Sequence, residues 1–373
     1  MNKEFYRPTW AEINLNNIAY NINSIRRFIS PQTQILAIVK ADAYGHGIIP
    51  VSKKLVSLGI NYLGVAALDE AIILRKAGIK CDILILGGIF SQDAEIVIKY
   101  NLSQTIFSKE LAYALNLAAS KKKKKVKVHI KVDTGMGRLG VWHTDAFSFI
   151  NQLRKMKFLN IEGVFTHLSS ADTDSKFSEG QINTFTALLH KLEASGIQIP
   201  LKHAANSLGL LDFRDSHFNL VRPGIIIYGL YPKDNTLIEL KPVLSLKTKI
   251  VFLKNTPGGR SISYGRAYIT KKNTVIATLP IGYGDGYPRA LSNKAEVLVR
   301  GMKARVVGRV CMDQIMIDVG HINNVKVKDV VTLIGKAGNN IITAGDLAVL
   351  ANTICYEIVC GIGSRVPRVY LDN

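Results

Sequence analysis

Apolar residues in the first part of the chain come in short runs at 35–39, 62–66, 83–86, 104–107, 126–132, 161–165, 202–205 and 220–222. Most of these runs are rich in Ile, Val and Leu and have the length of buried strands. Most gaps between them carry apolar residues at helical spacing, as in 68–77, 110–119, 146–155 and 181–194. Eight such strand–helix units before about residue 240 predict a closed (β/α)8 TIM-type barrel. An open doubly wound sheet is the alternative, but no GxGxxG opens a helix after the first strand. Ahead of the barrel, residues 9–15 alternate well enough for a short strand. Ile18, Ile22, Ile25 and Ile29 then recur at helical spacing up to Pro31.

Beyond Lys241 the pattern changes. Short β-like runs at 243–253, 274–279, 295–299, 304–307, 314–319 and 330–334 alternate with breaks rich in Gly, Asn and Asp. This predicts a separate, mainly β C-terminal domain. The division expected is a barrel over 10–240 and a β domain over 241–373, with the boundary near 236–242.

Composition narrows the class. With 373 residues and 47% hydrophobic content, the chain can bury a large core. No apolar run approaches a membrane span, and the first residues lack the apolar stretch of a secretory signal, so a cytoplasmic protein is expected. Cys81, Cys311, Cys355 and Cys360 form neither a CxxC pair nor a His/Cys cluster, which suits reduced thiols and no metal site. Lys plus Arg number 48 against 28 acidic residues, a net charge of +20. Such a surface attracts polyanions non-specifically. Part of the excess is the run Lys121–Lys125, most simply a solvated loop or frayed helix end. It has no interleaved aromatics and belongs to no nucleic-acid motif, so no specific nucleic-acid partner is expected.

The candidate chemistry sits at strand ends, where a barrel of this type carries its active site. The stretch AIVKADAYGHG (residues 37–47) ends a buried strand on Lys40 and then turns through two glycines. A lysine pulled into apolar surroundings favours its neutral amine, which can attack an aldehyde and hold a cofactor as a Schiff base. A solvated lysine is the plainer reading of that position taken alone. Other strand ends run into Asp133 to Arg138, Thr166-His167, His203 to Ser207, and Arg222-Pro-Gly-Ile. A lysine, two arginines, histidine, hydroxyls and backbone donors would thus converge on one mouth.

These stretches, with HIKVDTGMGRLG (129–140), VRPGI (221–225), SYGR (263–266), IGYGDGYPR (281–289), GRVCMDQ (308–314) and RVPR (365–368), resemble the alanine racemase family of fold-type III pyridoxal-phosphate enzymes. The likeness runs nearly end to end. It implies a (β/α)8 barrel, a β domain that also takes up residues 1–9, and a head-to-tail homodimer with shared active sites. It further implies pyridoxal 5'-phosphate as cofactor and L- and D-alanine as substrates, the product serving peptidoglycan.

By the same resemblance, Lys40 is the Schiff-base lysine and the base for the D-isomer, and Tyr264 of the partner subunit is the opposite base. Racemisation needs such a pair on the two faces of a planar carbanion. His167, backed by Arg222, would support the tyrosine, and Arg222 would face the pyridine nitrogen. Tyr44, Ser207 and Tyr356 would offer hydroxyls to the phosphate, and Gly224 and Ile225 backbone amides, with Asn206 orienting the pocket. Arg138 matches a residue near the phenolic oxygen and the substrate carboxylate, and Met312 of the partner would offer its backbone N–H to that carboxylate. Lys131 matches a position that some members carbamylate. Asp172, Tyr283, Arg289 and Arg309 match an access corridor. The segment Gly361-Ile-Gly-Ser before Arg365 departs from the family pattern, and neither the basic excess nor the lysine run follows from it. Competing readings are a racemase of broader substrate range, a decarboxylase on the same barrel, a non-catalytic pyridoxal-phosphate barrel, and a polyanion binder.

Overall fold

The computed structural model describes residues 6–232 and 237–372. Eight parallel strands, Gln34–Ile38, Tyr62–Val65, Asp82–Ile85, Ser103–Ile106, Val126–Asp133, Leu159–Phe165, Leu201–His203 and Leu220–Val221, follow one another around a barrel. The last returns to pair with the first, Leu220 opposite Gln34 and Val221 opposite Ile35. Between the seventh and eighth strands the ring is joined by the N–H of Arg222 donating to Ala205 O at 3.0 Å. The strands are mostly buried, as a covered parallel sheet demands, with Ile, Leu and Val predominating and a minority of buried polar residues such as Gln104, Thr105, His129 and His203.

The outer helices bury one stripe each. In Lys109–Lys121 that stripe is Leu111, Ala112, Leu115, Ala118 and Ala119, and Ser108 caps the start by accepting from Leu111 N at 3.3 Å. The helix ends within the lysine run, and Lys121–Lys125 are all exposed. The run is a solvated helix end.

The second domain is built on one large sheet, with a separate two-stranded ribbon (Ser261–Ile262 with Tyr268–Ile269) and the helices Ala344–Ala351 and Cys355–Cys360. The strands of the large sheet run in the order Phe252–Thr256, Thr274–Leu279, Ile315–Asp318, Met302–Val306, Glu296–Val299, Val330–Ala337, Leu244–Lys249, Thr9–Asn14 and Arg368–Leu371. The strand Thr9–Asn14 lies in the segment expected to open the barrel, yet it pairs antiparallel with Leu244–Lys249 and parallel with Arg368–Leu371. Its alternating burial puts Ala11 and Ile13 into the β-domain core, so residues 9–14 join the second sheet. Residues 1–5, expected alongside them, lie outside the described residues, as does position 236 of the expected boundary.

The chain crosses between domains near Gly229, at φ 72°, where a Cβ would stand 1.9 Å from Lys241 O. Asn21 of the helix Leu15–Phe28 clasps this crossing. It donates to Ile227 O and Lys241 O at 3.0 and 2.9 Å and accepts from Lys241 N at 2.7 Å. Among the described residues, no helix is long and apolar enough to cross a membrane.

Candidate active site

Lys40 follows the first barrel strand after one intervening residue, Val39, and opens an unusual turn. Ala41, Asp42, Ala43 and Tyr44 all have φ between 52° and 54°, a left-handed turn of non-glycine residues. Such a conformation costs roughly 1–2 kcal/mol per residue and persists only when its surroundings over-determine it. Here they do. Glu70 accepts the N–H of Ala41 at 2.6 Å with one carboxylate oxygen and those of Ala66 and Ala67 at 2.7 and 3.1 Å with the other. Asp42 accepts from Ile48 N at 2.7 Å, and Tyr228 donates to Ile38 O at 2.8 Å just before the turn. Gly45 closes it beneath the second domain's helix Cys355–Cys360, where a Cβ would stand 2.3 Å from Val359 O. Burial, then the nearby Arg138 guanidinium, holds the Lys40 amine below the usual lysine range.

The turn sets Tyr44 beside a second group of donors. Ser207 Oγ accepts the N–H of Gly224 at 2.9 Å. A Cβ on Gly224 would meet the Tyr44 hydroxyl at 2.5 Å, so only glycine leaves this cradle open. Ile225 follows, fully buried, at the start of the short turn Ile225–Tyr228. The rings of Tyr44 and Tyr356 lie 6.1 Å apart, bringing a second-domain hydroxyl to the same corner. Burial raises both tyrosine hydroxyls above their ordinary range, so both are neutral donors. Asn206 does a more local job than expected: its side chain accepts from Gly209 N at 2.8 Å and caps the helix Ser207–Asp212, fixing Ser207.

Opposite stands a cationic, desolvated wall. Arg222 is buried and donates from one nitrogen to Thr166 O and Ala204 O, at 2.8 and 2.9 Å, and from the other to His203 Nδ1 at 2.8 Å. His167 Nδ1 lies 3.2 Å from the first nitrogen. Burial lowers the Arg222 guanidinium to about 9, while its carbonyl and imidazole acceptors favour the charged form. Burial and the Arg222 charge drive His167 well below the ordinary imidazole value, so it is neutral, with its proton on Nε2. Lys131 is buried 5.6 Å from the Phe165 ring centroid, and burial with Arg138 and Arg222 lowers it to about 8. Arg138 itself is exposed, on a loop whose Gly135, Met136 and Gly137 N–H groups donate to Asp133 Oδ1.

Lys40, Tyr44, Arg138, His167, Ser207, Arg222, Gly224, Ile225 and Tyr356 therefore gather at one end of the barrel. Tyr264 and Met312 do not join them through the same chain. Both lie on the second domain, 72% and 53% exposed. Tyr264 lines a cavity of about 750 Å³ with Phe252, Arg260, Ile262, Cys311 and Met316. Asp172 is exposed but close enough to Tyr356 to help raise its hydroxyl. Tyr283, Arg289 and Arg309 are exposed on the second domain, and Arg309 lies beside Gly265. Sequence reasoning missed Glu70, which sits on a helix face with only the pairing Leu68-Asp-Glu to mark it, and the contact of Arg222 with His203.

Two family descriptions match the chain: "Alanine racemase, N-terminal domain" over residues 13–232 and "Alanine racemase, C-terminal domain" over 243–370. An alanine racemase of Halothermothrix orenii is 48% identical over 376 residues, spanning 100% of this chain and 99% of the relative. One from Methanococcus maripaludis is 45% identical, with 98% and 99% covered. Among solved structures, an alanine racemase of Clostridium difficile 630 superposes with a TM-score of 0.93 at 40% identity, covering 99% of this chain and 97% of that one. An alanine racemase from Bacillus anthracis, solved with bound L-Ala-P, gives a TM-score of 0.92 at 39% identity, with 99% and 96% covered.

Proposed function

The chain belongs to the alanine racemase family, and from that footing we propose that its barrel mouth holds pyridoxal 5'-phosphate and interconverts L- and D-alanine by a two-base route. The observation that carries the reading is the pairing of a half-buried, deprotonation-prone Lys40 with the cradle of Tyr44, on the same turn of chain, and Ser207 and Gly224 from two other strand ends. The donor set suits the cofactor. Neutral hydroxyls and backbone amides match a phosphate, a weakly basic amine matches an aldehyde, and a buried guanidinium matches an unprotonated ring nitrogen.

When bound, pyridoxal phosphate supplies an aldehyde for amine addition and a conjugated ring that draws electrons from the alanine Cα. Lys40 Nζ holds or releases the Cα proton on the D face, and burial, by lowering its basicity, eases the release. Tyr264 of a second copy exchanges the proton on the L face. Its 72% exposure in the single chain leaves it free for a partner's barrel to cover. His167, neutral and hydrogen-bonded through Nδ1, keeps its Nε2–H to support that tyrosine. Arg138 and the Met312 backbone of the partner subunit orient the substrate carboxylate. Tyr356 and Met312 crowd the side-chain position, which favours alanine over longer amino acids. The active unit is then a homodimer with shared sites, supplying D-alanine for peptidoglycan in the cytoplasm.

The test is direct. Purified protein with pyridoxal phosphate is incubated with single enantiomers of alanine, serine, lysine and arginine, and optical activity is followed. Loss of optical activity with alanine is expected. Its persistence would overturn the reading, and comparable kcat/KM with lysine or arginine would replace it with a broader racemase.

A further inference from the structure

Behind Arg222 a file of polar side chains runs through the barrel interior, where aliphatic packing would be the ordinary filling. Arg222 Nη1 lies 2.8 Å from His203 Nδ1. His203 Nε2 lies 2.9 Å from His129 Nδ1. His129 Nε2 lies 2.8 Å from the Tyr62 hydroxyl, which donates to Glu162 Oε2 at 2.8 Å. His129, His203 and Arg222 are buried throughout, as is Tyr62. Tyr62 and Glu162 open onto a cavity of about 710 Å³ at the opposite end of the barrel, which Asp82 and Arg26 also line. There Lys127 Nζ bridges Glu162 Oε1 at 2.9 Å and Asp82 Oδ2 at 2.8 Å.

The direction of every hydrogen in this file follows from its ends. A guanidinium only donates, so His203 Nδ1 accepts, and a neutral His203 carries its proton on Nε2. That N–H donates to His129 Nδ1, which places the His129 proton on Nε2, donating to Tyr62. Tyr62 turns its own proton to the carboxylate, which only accepts. Both histidines are neutral: burial lowers each, and Arg222 lowers His203 further. Burial tends to raise Glu162, but hydrogen bonds from His129, Lys127 and Tyr62 outweigh it and hold the carboxyl down at about 2. Arg222 and Glu162 thus agree on a single polarity.

We propose that Glu162, acting through Tyr62, His129 and His203, is a positioning residue for Arg222: it fixes the tautomer that keeps His203 Nδ1 bare to accept from the guanidinium. The inference rests on the racemase reading for its catalytic consequence, since Arg222 is there the group facing the ring nitrogen. The polarity itself does not depend on that reading.

Glu162→Gln separates polarity from shape. Lys127 claims the amide oxygen, so the amide –NH2 turns to Tyr62 and donates where an acceptor stood. The reversed file would put His129's proton on Nδ1, against the Nε2–H of His203, or push a proton onto His203 Nδ1, against Arg222. Tyr62→Phe keeps the polarity, because His129 Nε2 already lies 3.3 Å from Glu162 Oε2 and can donate there directly.

The experiment is a two-bond 1H–15N correlation on protein labelled at the histidine rings, recorded with cofactor bound. Wild type and Tyr62→Phe should both show His129 and His203 as Nε2–H tautomers near neutral pH, and Glu162→Gln should move at least one of them out of that form. The same variant should lose about tenfold in kcat for alanine, with KM little changed. An Nδ1–H or doubly protonated His129 or His203 in wild type would overturn the proposal whether or not the variant folds. So would unchanged tautomers in Glu162→Gln, altered ones in Tyr62→Phe, or an unaffected kcat beside switched tautomers. Should the tautomers behave as expected while wild type leaves alanine optically unchanged, the racemase reading falls and the polarity stands.

Discussion

The hydroxyl of Tyr44 stands 2.5 Å from where a Cβ on Gly224 would project, while the N–H of Gly224 donates to Ser207 Oγ at 2.9 Å. One backbone position thus brings two hydroxyls and an amide to the same small space, the kind of donor group an anion requires. Gly224→Ala should therefore fill the cradle. Tyr44 is pinned by the left-handed turn and by Tyr228, 4.9 Å away ring to ring, and has little room to yield. We expect pyridoxal phosphate to bind at least roughly tenfold more weakly, and stability to drop by about 1–3 kcal/mol as for overpacking. Cofactor absorbance during dialysis and urea unfolding of the variant measure the two effects.

Glu70 holds the turn that carries Lys40, and its charge partly offsets the lowering of the Lys40 amine by burial and Arg138. Glu70→Ala leaves the N–H groups of Ala41, Ala66 and Ala67 without their acceptor. Because the site is partly open to water, the expected loss is about 1–2 kcal/mol of stability. Activity should suffer more than stability does, since a small displacement of Lys40 misaligns proton transfer. Glu70→Gln, which keeps only one fixed acceptor, should fall between the two. Equal kcat in all three proteins would separate the turn from the chemistry.

Lys131 is a buried amine whose charge is opposed by burial and by Arg138 and Arg222, with Asp133 offsetting only part of that. Its folded value, about 8, lies below the ordinary 10.5, so the folded protein binds fewer protons than the unfolded chain between those values. Stability from this group rises with pH across that window, and the penalty is complete below it. Lys131→Met should accordingly stabilise the fold at pH 7 by on the order of 1–2 kcal/mol, after discount for the lost contact with Phe165. The gain should fade between pH 8 and 10.5. Thermal unfolding of both proteins across that range checks it; a pH-independent difference would point to packing alone.

Tyr264 and Lys40 should fail asymmetrically. Tyr264→Phe is expected to slow Cα proton exchange from L-alanine by roughly 100-fold or more and that from D-alanine much less, as loss of one general base does. Hydrogen–deuterium exchange into each enantiomer reads this. Mixing Lys40→Ala with Tyr264→Ala subunits should restore part of the wild-type rate, because one of the two sites in a mixed dimer keeps both bases. No recovery would argue against sites shared between subunits.

The strand–helix rhythm, the change of texture after Lys241 and the site residues near strand ends were legible because they are local. Period and glycine placement record burial and turns directly. The motifs around Lys40, Arg138, Arg222 and Tyr264 added roles through resemblance to a family. The strand Thr9–Asn14 was legible as a strand but not as a member of the second sheet, since its partners are Leu244–Lys249 and Arg368–Leu371, far along the chain. No local pattern encodes such pairing.

Tertiary structure alone decided the rest. It put Glu70 under the turn of Lys40, made Asn206 a helix cap, and lined Arg222, His203, His129, Tyr62 and Glu162 into one file. Each of these depends on which inward-facing residues of separate strands meet at one height in the barrel. Alternation along a strand tells which residues face inward, but the stagger between strands, which sets those heights, exists only once the sheet has closed.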